Sequence, residues 1–231
     1  MSIVTMIIYF AVLMLLPIYA QRKVMSTYKK YAQVQSTSNM TGAEVARRIL
    51  DMNGLENVRV EPVAGVLSDH YDPTDRVVRL SESNFYEASV AGTAVAAHEV
   101  GHAMQHKEAY KFLTVRSKLV PAANISSNAS WIFIMIGAIA SWQPLMLVGI
   151  ILLAIGVVFQ VVTLPVEFDA SKRAMNQIVE LGIVRNEEEP AARKVLNAAA
   201  MTYVAAAATA VMELVRLILM YTGMGNNSDD E

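Results

Sequence analysis

The sequence predicts an α-helical polytopic membrane protein of about four spans, with a small α+β portion outside the bilayer. Three observations predict it. Hydrophobic residues make up 54% of the 231 residues, and mean hydropathy is +0.36, high for a chain that stays in water. Apolar stretches long enough to cross the hydrocarbon core recur near the start, the middle and the end. Between them lie the helix caps, turn residues and extended apolar runs of an ordinary folded domain.

Residues 3–20 form an uncharged apolar run. Arg22, Lys23, Lys29 and Lys30 follow this run rather than precede it, so it reads as a retained anchor and not as a signal peptide. The same charges put the N-terminus outside and residue 21 onward in the cytoplasm. Thr41 and Glu44 form a capping box that opens a helix with Val45, Ile49 and Leu50 on its apolar face, and Asn53-Gly54 stops it. Residues 58–63 and 65–71 read as extended. A turn at Asp72-Pro73-Thr74-Asp75 leads into a strand at 76–80, giving a hairpin with an available edge. An alanine-rich, proline-free helix is expected over 89–106.

Residues 120–166 are too long for one span. Ser141-Trp142-Gln143-Pro144 divides them into two helices joined by a tight turn. The first starts with Asn124, Ser126, Ser127, Asn128 and Ser130. These groups face either a partner helix or cavity within the bilayer, or water on an extension below it. A short helix is expected from about Ser171 to Gly182. Asn186, followed by Glu187, Glu188 and Glu189, opens another that can run into the last span, residues 198–221. Glu213 and Arg216 lie within that span at i,i+3 spacing and read as a structural pair. The polar, acidic tail from Asn226 reads as disordered.

The resulting division is an anchor at 1–20, a cytoplasmic segment at 21–118, a transmembrane hairpin at 119–166, a second cytoplasmic segment at 167–197, a span at 198–222 and a tail at 223–231. The second cytoplasmic segment carries Lys172, Arg173, Arg185, Arg193 and Lys194, whereas the turn at 141–144 carries no charge, in keeping with this topology. The net charge of −2 gives no footprint for nucleic acid. The partners expected are the lipid bilayer and protein or peptide substrates, mostly membrane-associated.

The chain has no cysteine, which excludes disulfides, thiolate metal sites and a thiol nucleophile. Protein ligands to a metal must then be His, Asp or Glu. The histidines are His70, His98, His102 and His106, and three of the four fall within nine residues. In His98-Glu99-Val100-Gly101-His102, two imidazoles at i and i+4 share a helix face and can converge on one zinc ion. The glutamate at i+1 is left to take a proton from the attacking water. Residues 21–118 therefore read as a catalytic segment. The function expected is a zinc-dependent endopeptidase with Glu99 as general base and one catalytic Zn2+. The alternative from another class is a non-catalytic membrane scaffold or chaperone holding a structural zinc. A zinc transporter fits less well, because these histidines lie outside every expected span.

A catalytic zinc needs a third protein ligand. His106 lies eight residues from His98, about 12 Å along a straight helix, too far for the same ion. It is expected behind the ligands or at the surface. Glu167 emerges after Pro165 at the cytoplasmic end of the third span and is the strongest candidate, with Asp169 the runner-up. His70 reads as a strand residue beside a turn, or else as a substrate contact. The hairpin edge could take a peptide by strand addition.

The run from Ala96 through His98-Glu99-Val100-Gly101-His102 to His106, the segment Leu67-Ser68-Asp69-His70-Tyr71-Asp72-Pro73, and Leu164-Pro165-Val166-Glu167-Phe168-Asp169-Ala170-Ser171 together resemble the YugP-type family of bacterial membrane zinc peptidases over nearly the whole chain. The resemblance implies a small gluzincin-like catalytic domain, Glu167 as third ligand and a bacterial inner-membrane location; the charge pattern puts the active site on the cytoplasmic side. The chain is more distantly similar to the HtpX-like and CAAX prenyl proteases. In those proteins an aspartate four residues after the ligand glutamate braces a zinc-binding histidine. Ser171 stands at that place in this chain, and Asp169 is a nearby acid that could serve instead.

Overall fold

The computed structural model describes residues 2–226. Residues 227–231, which hold most of the expected acidic tail, lie outside it. In chain order the elements are α1 (Ile3–Ala32), α2 (Gly42–Met52), β1 (Arg59–Val63), β2 (His70–Asp72), β3 (Val77–Ser81), α3 (Glu82–Tyr86), α4 (Val90–Lys107), α5 (Lys111–Ile139), α6 (Gln143–Glu180) and α7 (Glu189–Asn226). Helices α1, α5, α6 and α7 are long and apolar enough to cross a membrane. The chain forms two compact units. One holds the N-terminal residues through Ile18, Thr114–Leu164 and the chain from Tyr203. The other holds Tyr19–Leu113 and Pro165–Thr202.

The second unit is built around β3. Its Val77, Val78 and Leu80 are fully buried. β3 runs parallel to β1 and antiparallel to β2, so the sheet order is β1-β3-β2 and β2 is an edge strand. Helix α2 covers this core with Val45, Ala46, Ile49 and Leu50, none of them exposed. Its start is the expected capping box. The Thr41 hydroxyl oxygen accepts from the Glu44 N–H at 3.3 Å, and the Glu44 carboxylate accepts from the Thr41 N–H at 2.8 Å. It ends at Asn53, with Gly54 at φ +63°. Helix α4 starts at Ser89, whose side chain accepts from the Gly92 N–H. Val90, Ala91, Ala94, Ala96, Ala97, Val100 and Ala103 are buried along it, so it runs through the core rather than over it. Gly101 is the point of closest approach to α6: a Cβ there would sit 2.7 Å from the Ala170 carbonyl oxygen.

Three local expectations are corrected. The strand expected over 65–71 shrinks to His70–Asp72. Gly65 at φ +109° and Leu67 at φ +55° turn the chain before it, a backbone no strand can hold. The short helix expected to begin near Ser171 is the last part of α6, which continues through Pro165 without a break. The proline removes one N–H donor, but Thr163, Val166, Glu167 and Ala170 around it are buried and hold the helix in place. Its end at Gly182 is as expected: the glycine has φ +63°, and the N–H groups of Ile183 and Val184 donate to the Ile178 carbonyl. Asn186 does not cap α7. The Glu188 carboxylate just before the helix instead ties the entering chain, accepting from the Arg185 N–H at 3.2 Å and from the N–H and hydroxyl of Thr37 at 2.8 and 2.5 Å. Helix α7 then runs unbroken into the apolar region.

In the first unit the turn between α5 and α6 falls at 140–142, with Ser141 at φ +52°. The two helices touch through glycine. A Cβ on Gly137 would lie 2.5 Å from the Met146 nitrogen, and one on Gly149 would lie 2.7 Å from the Ile134 nitrogen. Ser126 and Ser130, at the polar start of α5, are buried, which favours the partner-helix reading for both. Ser126, Ser127 and Asn128 donate to carbonyls of their own helix. Glu213 and Arg216 form the expected ion pair. Tyr9 joins them: its hydroxyl donates to Glu213 at 2.7 Å, and the Arg216 guanidinium lies over its ring.

Candidate active site

Helix α4 places His98 and His102 one turn apart, with ring centroids 4.8 Å from each other and planes at 85°. Glu167 on α6 faces them. One of its carboxylate oxygens, Oε2, lies 3.3 Å from His98 Nε2 and 3.7 Å from His102 Nε2. Three ligand atoms, one from each residue, lie within 4.8 Å of one another, and this is the one such His/Asp/Glu group found among the described residues. Zinc bonds of about 2.0–2.2 Å in tetrahedral array put neighbouring donors roughly 3.3 Å apart, so the donor set fits the ion. It also leaves a coordination position without a protein donor.

Burial makes the arrangement consequential. Glu167 is 3% exposed and Glu99 8% exposed. Burial pushes the Glu99 carboxyl above its usual range. The charges of Asp69 and Glu167 act in the same direction, and His98 and His102 oppose them without cancelling the rise. For His102, burial acts downward, but the neighbouring Glu167 carboxylate, the charge of Glu99 and the Gln105 hydrogen bond outweigh it and raise the imidazole. Both responses are those of a pocket that lacks positive charge.

The far sides of the imidazoles are also held. Ser171 Oγ lies 3.2 Å from His98 Nδ1. Gln105 Oε1 lies 3.1 Å from His102 Nδ1. The Gln105 Nε2 donates to the Val166 carbonyl and to Asp169, each at 2.8 Å. Asp169 is thus one step behind the ligands. Arg173 holds it at 2.6 Å and is itself paired with Glu108.

His70 and His106 are exposed and outside the group. His70 Nδ1 donates to the Ser68 carbonyl at 2.8 Å. His106 Nδ1 meets the Tyr71 hydroxyl at 2.8 Å, joining the end of α4 to the edge strand β2. Two contributors escape the sequence reading. Gln105 was legible as the residue three positions after His102 and so on its face. Asp69, which accepts from the Ser81 N–H at 2.7 Å and from Asn84 Nδ2 at 3.0 Å, carries no signal of spacing.

Comparison with known proteins agrees with this chemistry. Residues 6–222 match the family described as "putative neutral zinc metallopeptidase". The chain is 50% identical over 206 residues to a Bacillus subtilis (strain 168) protein named "Putative membrane protease YugP", covering 89% of this chain and 92% of that one. No solved structure matches. On a match that spans almost its whole length, this chain belongs to that family.

Proposed function

We propose that the protein is a membrane-embedded zinc endopeptidase of gluzincin type that cleaves membrane proteins or peptides at the cytoplasmic face of a bacterial inner membrane. The observation that carries this reading is the meeting of the Glu167 carboxylate, at 3.3 and 3.7 Å, with two histidines more than sixty residues away in sequence. His98, His102 and Glu167 would hold the metal. Zinc bound there would activate a water and polarise the scissile carbonyl.

The remaining chemistry belongs to the chain. Glu99 takes the proton of the attacking water on its carboxylate as the C–O bond forms. It then passes that proton to the leaving nitrogen as the C–N bond breaks. Its raised proton affinity suits a base that must release the proton again near neutral pH. A bound dication would draw it back toward the ionised form it needs at the start. The edge strand β2 offers unpaired backbone groups for an extended peptide. The cytoplasmic assignment is supported by the basic residues at 22–30 and at 172–194.

Metal content and peptide hydrolysis of the full chain in detergent test the reading. The wild type binds about one zinc per chain and hydrolyses peptide. Glu99→Ala keeps the zinc and loses about 10²- to 10⁴-fold in turnover. A Glu99→Ala variant that keeps wild-type function would leave a scaffold with a structural zinc.

A further inference from the structure

We propose that Gln105 is the positioning residue of the metal site: its amide fixes the His102 proton on Nδ1 and so turns the Nε2 lone pair toward Glu167. The proposal rests on the zinc reading above.

The hydrogen bonds leave little choice. Gln105 is fully buried. Its nitrogen lies 2.8 Å from the Val166 carbonyl oxygen and 2.8 Å from an Asp169 carboxylate oxygen. Both of those groups only accept, so the NH2 end of the amide must face them. The amide oxygen then lies 3.1 Å from His102 Nδ1. An amide oxygen only accepts, so Nδ1 carries a hydrogen. A neutral imidazole has one N–H, and Nε2, on the Glu167 side, keeps its lone pair for a metal. Asp169 never touches the imidazole. Its charge polarises the amide N–H, and through the conjugated amide it strengthens the oxygen as an acceptor. Arg173, with Nε 2.6 Å from Asp169, keeps that carboxylate in place.

His98 is held differently. Its partner is the Ser171 hydroxyl at 3.2 Å, which can donate or accept and dictates no tautomer. His102 is therefore the fixed ligand and His98 the adaptable one.

The experiment uses the full chain in detergent. Zinc affinity is measured by chelator competition, and the melting temperature of the metal-free protein is followed alongside. Gln105→Met keeps the volume and removes the amide. Zinc binding should weaken about ten- to a hundredfold, and by more than in Ser171→Ala. Asp169→Asn keeps an oxygen that can accept from the Gln105 amide and should weaken zinc binding by less than Gln105→Met does. In ¹⁵N-histidine NMR of the zinc-loaded wild type, His102 should carry its proton on Nδ1. Wild-type affinity in Gln105→Met overturns the proposal. So does a zinc-loaded wild type whose His102 carries its proton on Nε2. A wild type that takes up no zinc removes the metal reading itself.

Discussion

Two buried acids on long helices meet opposite fates in this molecule. Glu213, on α7, is 8% exposed and fully matched: Arg216 supplies the countercharge and Tyr9 an additional donor. Glu167, on α6, is 3% exposed, and its nearest polar partners are two imidazoles whose other nitrogens are already engaged. A buried carboxylate is costly unless a cation or donors compensate it. Glu213 is compensated from within the chain and closes its own cluster. Glu167 is left with an arrangement that a dication would complete. The contrast separates an acid that holds helices together from one that waits for a ligand.

Exchanging each acid for its amide sharpens the contrast most. Glu167→Gln should weaken zinc binding by more than the roughly hundredfold upper range seen when a supporting residue is lost, and hydrolysis should fall with it. Glu213→Gln should leave zinc affinity unchanged and cost stability, on the order of 1–3 kcal/mol for the partner left under-satisfied. Titration with a chelator and thermal melting of both variants check this pair.

Individual glycines also differ in how tightly they are packed. Gly101→Ala puts a Cβ against the Ala170 carbonyl at 2.7 Å. Overpacking of this kind costs about 1–3 kcal/mol, and relief by separating α4 from α6 would draw Glu167 away from the histidines. Zinc binding should drop together with melting temperature. Gly156→Ala meets only Ser126 Oγ at 3.7 Å. It should be neutral or stabilising by up to about 1 kcal/mol, the helix preference of alanine over glycine.

Much of this was legible in the sequence, and the exceptions have physical causes. Periodicity, length and caps are local, so the apolar helices, the capping box at Thr41 and Glu44, and the break at 141–144 could be read directly. The three side chains that the sequence singles out as ligands are the three that the structure brings together. Pro165 was misleading. It signals a helix end when the helix is isolated, but burial on both sides carries α6 through it. The parallel pairing of β1 with β3 is a choice of topology that no alternation of residues encodes. Gln105 was passed over because its role arises only when α6 delivers Val166 and Asp169 to its amide.

A smaller effect concerns the site in the absence of metal. Burial raises Glu99 above its usual 4.5. Its protonated form therefore favours the fold at low pH, and that contribution is lost as pH rises through the folded-state value. Glu99→Gln, which carries no charge, should melt higher than the metal-free wild type above pH 4.5, by a margin that grows until pH passes the folded-state value and then stays level. Thermal melting across pH 4–8 in the presence of chelator follows it. Stability gained by removing this acid would mark strain held for function.

The smallest effect lies at Glu188, away from the site. Burial acts upward on this carboxyl, but the hydrogen bonds from Thr37 and the Arg185 N–H outweigh it and hold it below the usual 4.5. Its contribution is present above pH 4.5 and lost as pH falls through the lower folded-state value. Glu188→Gln should cost about 1 kcal/mol at neutral pH, with the difference from wild type shrinking in acid and zinc affinity untouched.

The most direct test of the central claim is X-ray absorption at the zinc edge on the full chain loaded with one equivalent of metal. The account predicts scattering from two imidazoles and from carboxylate or water oxygens at about 2.0–2.2 Å, with the spectrum altered in Glu167→Gln. A zinc ion with no imidazole around it, or a spectrum indifferent to the loss of Glu167, would contradict it.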